Sequence, residues 1–163
     1  MSKLHQFLFL LAIITIGCNR QEDNFPPVPY LEYRSMQPTE NGIGITVYFQ
    51  DGDGDIDTIT YLPCVSDGRA IFQDTAAKKV ILASEDTVFA SDDIIKIIYD
   101  YGIKKIDPVS QNGSMKGTIT LSLDSANIQL VLWAFPQEKK YFKITLYDRA
   151  GNSSNSVITP YFN

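Results

Sequence analysis

The chain has 163 residues, 44% of them hydrophobic and 20% charged, with a formal charge of −5. That mixture excludes a disordered or collagen-like chain and fits one domain, or a domain with a tail. Lysine and arginine number 14 against 19 acidic residues, so no cationic surplus exists to neutralise phosphates, which argues against nucleic acid as a partner.

The N-terminus reads as a targeting segment. Lys3 supplies a positive charge, and Phe7 to Gly17 (FLFLLAIITIG) form an apolar run that ends at Cys18. At about 1.5 Å per residue this run covers only half of a ~30 Å hydrocarbon core, so residues 1–17 read as a signal peptide and not a membrane span. Thr15-Ile16-Gly17-Cys18 resembles a bacterial lipobox, in which cleavage leaves Cys18 first and its thiol carries a diacylglycerol. A signal peptide cut elsewhere, with an incidental cysteine, is the alternative. Cleavage before Cys18 would remove His5, the single histidine. A chain without histidine runs no Ser-His-Asp or Cys-His mechanism and builds no histidine-containing metal site. Lipidation of Cys18 would also leave Cys64 alone, so no intrachain disulfide is expected. Cys64 lies in an apolar stretch and reads as a small buried hydrophobe.

Residues 18–29 read as the lipidated cysteine and a tether, polar at first and then proline-rich (Pro26, Pro27, Pro29), which favours extended geometry. Glu22-Asp23 close behind Cys18 resembles the export signal of surface lipoproteins in Bacteroidetes. A solvated linker is the plainer reading of the same pair.

From Tyr30 to Asn163 the dominant hydrophobic period is two, the mark of strands. Gly42–Asp51 places Ile43, Ile45, Val47 and Phe49 on one face; Gly117–Asp124 does the same with Ile119, Leu121 and Leu123. Lys140–Asp148 follows suit with Phe142, Ile144 and Leu146. Further strands are expected at 31–36, 58–65, 79–83, 128–135 and 156–162. Asp67-Gly68, Asn112-Gly113 and Gly151-Asn152 supply turn chemistry between them. Ser91–Gly102 fits a strand through its four isoleucines, yet Ile94, Ile97, Ile98 and Tyr101 also stand at helical spacing. The fold expected is all-β, an immunoglobulin-like antiparallel sandwich, with room for one short inserted helix.

One constellation carries metal chemistry. Asp51, Asp53, Asp55 and Asp57 alternate with Gly52, Gly54 and Ile56, so that a curling backbone can converge several oxygens on a hard cation such as Ca²⁺. This is no EF-hand, because Ile56 stands where glycine is required and Leu62 where glutamate is required. The plainer reading is a solvated acidic turn. Asp148-Arg149-Ala150-Gly151-Asn152, followed by Asn155, closes the next-to-last expected strand. In an immunoglobulin-like sandwich the turn after the second strand and the turn before the last share one end, so Asp148 and Asn152 are candidate ligands for the same ion.

These two runs, DGDGDI and DRAGN-SN, resemble those of Bacteroidetes lipoproteins with one immunoglobulin-like or cadherin-like domain. The resemblance covers both ends of the domain and leaves about 64–105 unmatched. It implies a fold and a cell-envelope location, most naturally the outer membrane, and brings no activity with it. Walker, dinucleotide-binding and nucleophile-elbow motifs are absent. Three function classes remain open: a non-enzymatic Ca²⁺-stabilised interaction or structural module, a glycan-binding lipoprotein for nutrient capture, and a hydrolase built on paired carboxylates. The eighteen tyrosines and phenylalanines and the single tryptophan, Trp133, read as core, with glycan stacking as the alternative.

Overall fold

In the computed structural model of the chain, residues 25–103 and 113–163 are described. The signal-like segment, Cys18, Glu22-Asp23 and Asn112 lie outside the described residues. Among the described residues ten strands and one helix follow in order: β1 (Tyr30–Thr39), β2 (Gly42–Asp51), β3 (Ile56–Val65), β4 (Ala70–Asp74), β5 (Lys79–Ala83), β6 (Ile94–Lys96), β7 (Tyr99–Gly102), β8 (Met115–Asp124), α1 (Ser125–Trp133), β9 (Lys140–Asp148) and β10 (Val157–Ile158). All pairings are antiparallel, and the fold is an all-β, sandwich-like one.

The smaller sheet has the order β1-β2-β8, the larger β10-β9-β3-β4-β5. Alternation does the packing. Leu31, Ile45, Val47, Leu121 and Leu123 from the first sheet meet Ile59, Tyr61, Phe142, Ile144 and Leu146 from the second in one core. The free edge of β3 is shared: β7 pairs Thr58 to Tyr61, and β4 pairs only Cys64. Pro63, which has no N–H to donate, lies between the two partners. β6 then runs along β4, so the 94–102 segment wedges between diverging strands. The isoleucine-rich stretch is thus strand, broken at Ile97, whose N–H bonds the Ile71 carbonyl at 3.1 Å.

Two expectations need correction. The apolar run 128–135 is not a strand: its first part belongs to α1. Ile128, Val131 and Leu132 turn inward at helical spacing while Gln129, Leu130 and Trp133 face out. Val131 packs with Ile71 and Ile97, and with Val80, Leu82 and Phe135 around them, covering the part of the larger sheet that three strands cannot reach. The helix stops where Phe135 takes a left-handed φ of 52° and Pro136 follows. Trp133 is accordingly no core plug; it is 75% exposed at the helix end.

Strand β4 has no counterpart in the sequence reading because both of its faces are covered. Ile71 joins the cluster under α1, whereas Phe72 packs with Leu62, Cys64 and Phe89 beneath the 84–93 loop. A strand buried on both sides loses the period of two. The loop is held down by Glu85, which receives Lys143 Nζ at 2.6 Å. Cys64 is a buried free thiol, and burial pushes its pKa up to about 11, which makes it a poor nucleophile.

Asn155 ties the sheets together. Its Oδ1 accepts the Leu31 N–H and its Nδ2 donates to the Leu31 carbonyl, each at 2.9 Å. A side-chain amide here imitates a strand partner for β1. Asn155→Ala should therefore lower stability by about 1–3 kcal/mol, the range for leaving buried polar groups unmade. Urea midpoints of the two proteins, with equal m-values, measure it; an unchanged midpoint would mean the clamp contributes nothing.

Candidate metal centre

The turn from β2 to β3 carries the chain from one sheet to the other across the end of the sandwich. Asp51 is the last residue of β2, Ile56 the first of β3. Gly54 takes a left-handed φ of 70°, which glycine permits without strain and which folds the turn back on itself. Asp51, at 0% exposure, and the half-buried Asp55 thus converge with the exposed Asp53.

One carboxylate oxygen from each of Asp51, Asp53 and Asp55 lies within 4.8 Å of the others. An ion with Ca²⁺–O bonds of 2.3–2.6 Å bridges oxygens up to about 5 Å apart, so the triad can hold a metal ion. Asp51 Oδ2 accepts the Asp55 N–H at 2.9 Å, but Asp51 Oδ1 and Asp55 Oδ1 are buried without a hydrogen-bond partner among the described residues. Burial, then the charge of Asp53, pushes the Asp51 pKa up to about 6. Burial likewise raises Asp55, followed by the charges of Asp53 and Asp148. The three carboxylates repel as anions in a poorly hydrated place, the condition that a divalent cation relieves.

The second turn meets the first. Ile56 is paired with Asp148, and the Arg149 N–H bonds the Asp55 carbonyl at 2.9 Å. The Ala150 N–H helps to stabilise the Asp55 carboxylate. Asp148 itself is turned to its own loop: its oxygens receive the Asn152 N–H at 2.6 Å and Asn152 Nδ2 at 2.7 Å. Asp148 and Asn152 thus shape the ground beside the triad. Asp57 stands apart from it, exposed, taking the Thr58 hydroxyl at 3.0 Å and Arg149 Nε at 3.6 Å. Asn155 is occupied by Leu31, as described above.

The sequence reading missed the stem before β1. The backbone of Phe25 and Pro26 lies against Gly52, and a Cβ on Gly113 would stand 3.2 Å from the Asp53 carbonyl oxygen. Nothing in the periodicity of residues 19–29 announces that contact. A separate hollow of about 490 Å³ opens beside Phe72, Phe89, Ile94 and Glu85, and Glu85 is already paired there with Lys143 and Lys96. The chain matches no protein-family model, no curated protein and no solved structure.

The raised Asp51 pKa fixes the sign of a pH effect. Its folded value of about 6 exceeds the ordinary 3.8. The contribution of Asp51 to stability is therefore present in full below about 3.8 and is lost as pH rises through about 6. With chelator present, wild type should gain on Asp51→Asn as pH falls from about 7.5 to about 5, because asparagine is neutral throughout. Thermal melts of the pair give the difference; a gap that stays constant with pH would show that Asp51 does not titrate there.

Proposed function

We infer that this chain is a non-enzymatic lipoprotein of the bacterial cell envelope whose sandwich is an interaction or structural module stabilised by Ca²⁺. Buried, unpartnered Asp51 Oδ1, set within reach of the Asp53 and Asp55 carboxylates, carries the cation part of this reading. A hard, oxygen-only donor set suits Ca²⁺, and extracellular modules hold it at about 10⁻⁴–10⁻³ M. The envelope part rests on the apolar run ending at Gly17-Cys18 and on its likeness to a lipobox. Membrane attachment through Cys18 leaves the domain free to meet an envelope protein or a glycan.

At calcium about 100-fold above its dissociation constant, mass action adds roughly 2.7 kcal/mol, a large share of a small domain's stability. Melts should therefore rise with CaCl₂ and fall back with chelator. Asp53→Ala should remove most of the rise, since Asp53 is the triad member that reaches solvent. Asp57→Ala should leave it nearly whole. No shift in wild type would reduce the turn to a solvated loop.

Anchoring has its own test. Intact mass of the chain purified from bacterial membranes should show a diacylglyceryl Cys18 at the N-terminus, and Cys18→Ser should move the protein to the soluble fraction. An unmodified Cys18 in the wild type ends the lipoprotein reading.

Glycan capture is the second reading, and the exposure of Trp133 is what favours it. Tyr161 is also exposed and packs edge-on against Tyr141, with ring centroids 5.8 Å apart. Aromatic faces of this kind stack on sugar rings. Trp133 is the single tryptophan, so its fluorescence on adding glycans separates the two readings directly.

A further inference from the structure

Gly52 is a glycine that the turn itself does not require. Its φ lies outside the left-handed region, so φ does not call for glycine there. What excludes one is the stem. A Cβ placed on Gly52 would overlap the Phe25 carbonyl oxygen and lie 2.5 Å from that of Pro26. Two main-chain carbonyls thus press against the residue between Asp51 and Asp53. Lys116 Nζ stands 5.6 Å from the centre of the Phe25 ring, adding a contact from β8.

That placement has an electrostatic consequence. A carbonyl oxygen is the negative end of a peptide dipole of about 3.5 D. Against a turn of bare carboxylates it is repelled; against the same turn holding a divalent cation it is attracted. Ca²⁺ takes six to eight oxygens and commonly draws some from main-chain carbonyls, more than three carboxylates comfortably supply. Asp51 Oδ1, buried without a hydrogen-bond partner among the described residues, is the oxygen that such a cation would satisfy.

We propose that the Phe25–Pro26 stem and a Ca²⁺ ion at Asp51, Asp53 and Asp55 bind cooperatively, the ion seating the stem on Gly52 and the seated stem raising affinity for the ion. This rests on the cation reading above. Linkage makes the coupling reciprocal: whatever factor the stem adds to ion binding, the ion adds to stem docking. Because the stem leads directly into β1, the ion decides whether Phe25 and Pro26 are held on the β2–β3 turn.

The test uses the full chain carrying Cys18→Ser, titrated with CaCl₂ by calorimetry and followed by ¹⁵N relaxation at Phe25 and Val28, since Pro26, Pro27 and Pro29 have no amide proton. Calcium should bind and should order both amides. Gly52→Ala, whose new methyl displaces the stem, should bind calcium at least about fivefold more weakly, the low end of typical coupling. Pro26→Gly loosens the stem without adding an atom to the turn and should weaken binding in the same direction, which keeps the test usable if Gly52→Ala does not fold. Calcium binding of undiminished affinity in both variants, with Phe25 and Val28 unmoved in wild type, overturns the coupling and leaves the ion site standing. Absence of calcium heat in wild type removes the ion site and the coupling with it.

Discussion

Two unequal sheets set the constraint that the rest of the molecule answers. Three strands in β1-β2-β8 cannot cover the inner face of a sheet that extends from β10 to β5. The uncovered part carries Ile71, Val80 and Leu82, and leaving such side chains in water would cost roughly 1.5–3 kcal/mol each. Chain inserted after β8 solves this as a helix, because a helix presents Ile128, Val131 and Leu132 on one side while its outer side stays wet. The opposite face of the same extension is closed by the 84–93 loop through Phe89. The insertion that wedges β6 and β7 beside β3 and β4 belongs to the same solution: Tyr99 stacks on Tyr61 at 4.9 Å and joins the sheet to the main core.

The wide part of the sandwich is thus dry, and its polar business is pushed to the ends. At one end, the β2–β3 turn must cross between sheets about 10 Å apart within four residues, so its side chains point over the mouth of the core. Asp51 is buried because it is still in register on β2, opposite Met115 of β8, when the strand ends. The Asp148–Asn152 turn closes on itself and passes its Arg149 and Ala150 amides to Asp55. Sheet pairing of Ile56 with Asp148 is what brings the two acidic turns together.

How much of this was legible depends on how many faces of an element meet water. β2, β8 and β9 alternate cleanly because one face is solvated, and their limits could be read almost to the residue. β4 and the second half of β3 are covered on both sides, so Ala70-Ile71-Phe72 shows no period at all. The 128–135 run misled for a related reason. Eight consecutive residues with only one polar member hide whether burial recurs every second or every third to fourth position; only the partners, Ile71 and Ile97, decide it. In the acidic turn, the spacing of Asp51, Asp53 and Asp55 was enough to foresee convergence. It could not foresee that Asp57 would fall outside, since a register irregularity between Ile56 and Thr58 turns that side chain toward Arg149. The contact of Phe25 and Pro26 with Gly52 is long-range, and composition carries no trace of it.

The strongest argument about the triad comes from the other end of β9. Lys140 is as buried as Asp51, and burial lowers its pKa, yet its ammonium donates to the carbonyls of Phe135 and Glu138, each at 3.1 Å. There the fold surrounds a buried cation with main-chain oxygens taken from the loop that follows α1. At the Asp51 end three carboxylates converge, and among the described residues no hydrogen-bond partner reaches Asp51 Oδ1 or Asp55 Oδ1. A fold that satisfies one buried charge so fully here leaves one unmatched oxygen on each of two carboxylates, Asp51 and Asp55. The asymmetry between the two ends sets this turn apart as the place where three carboxylates could hold a metal ion.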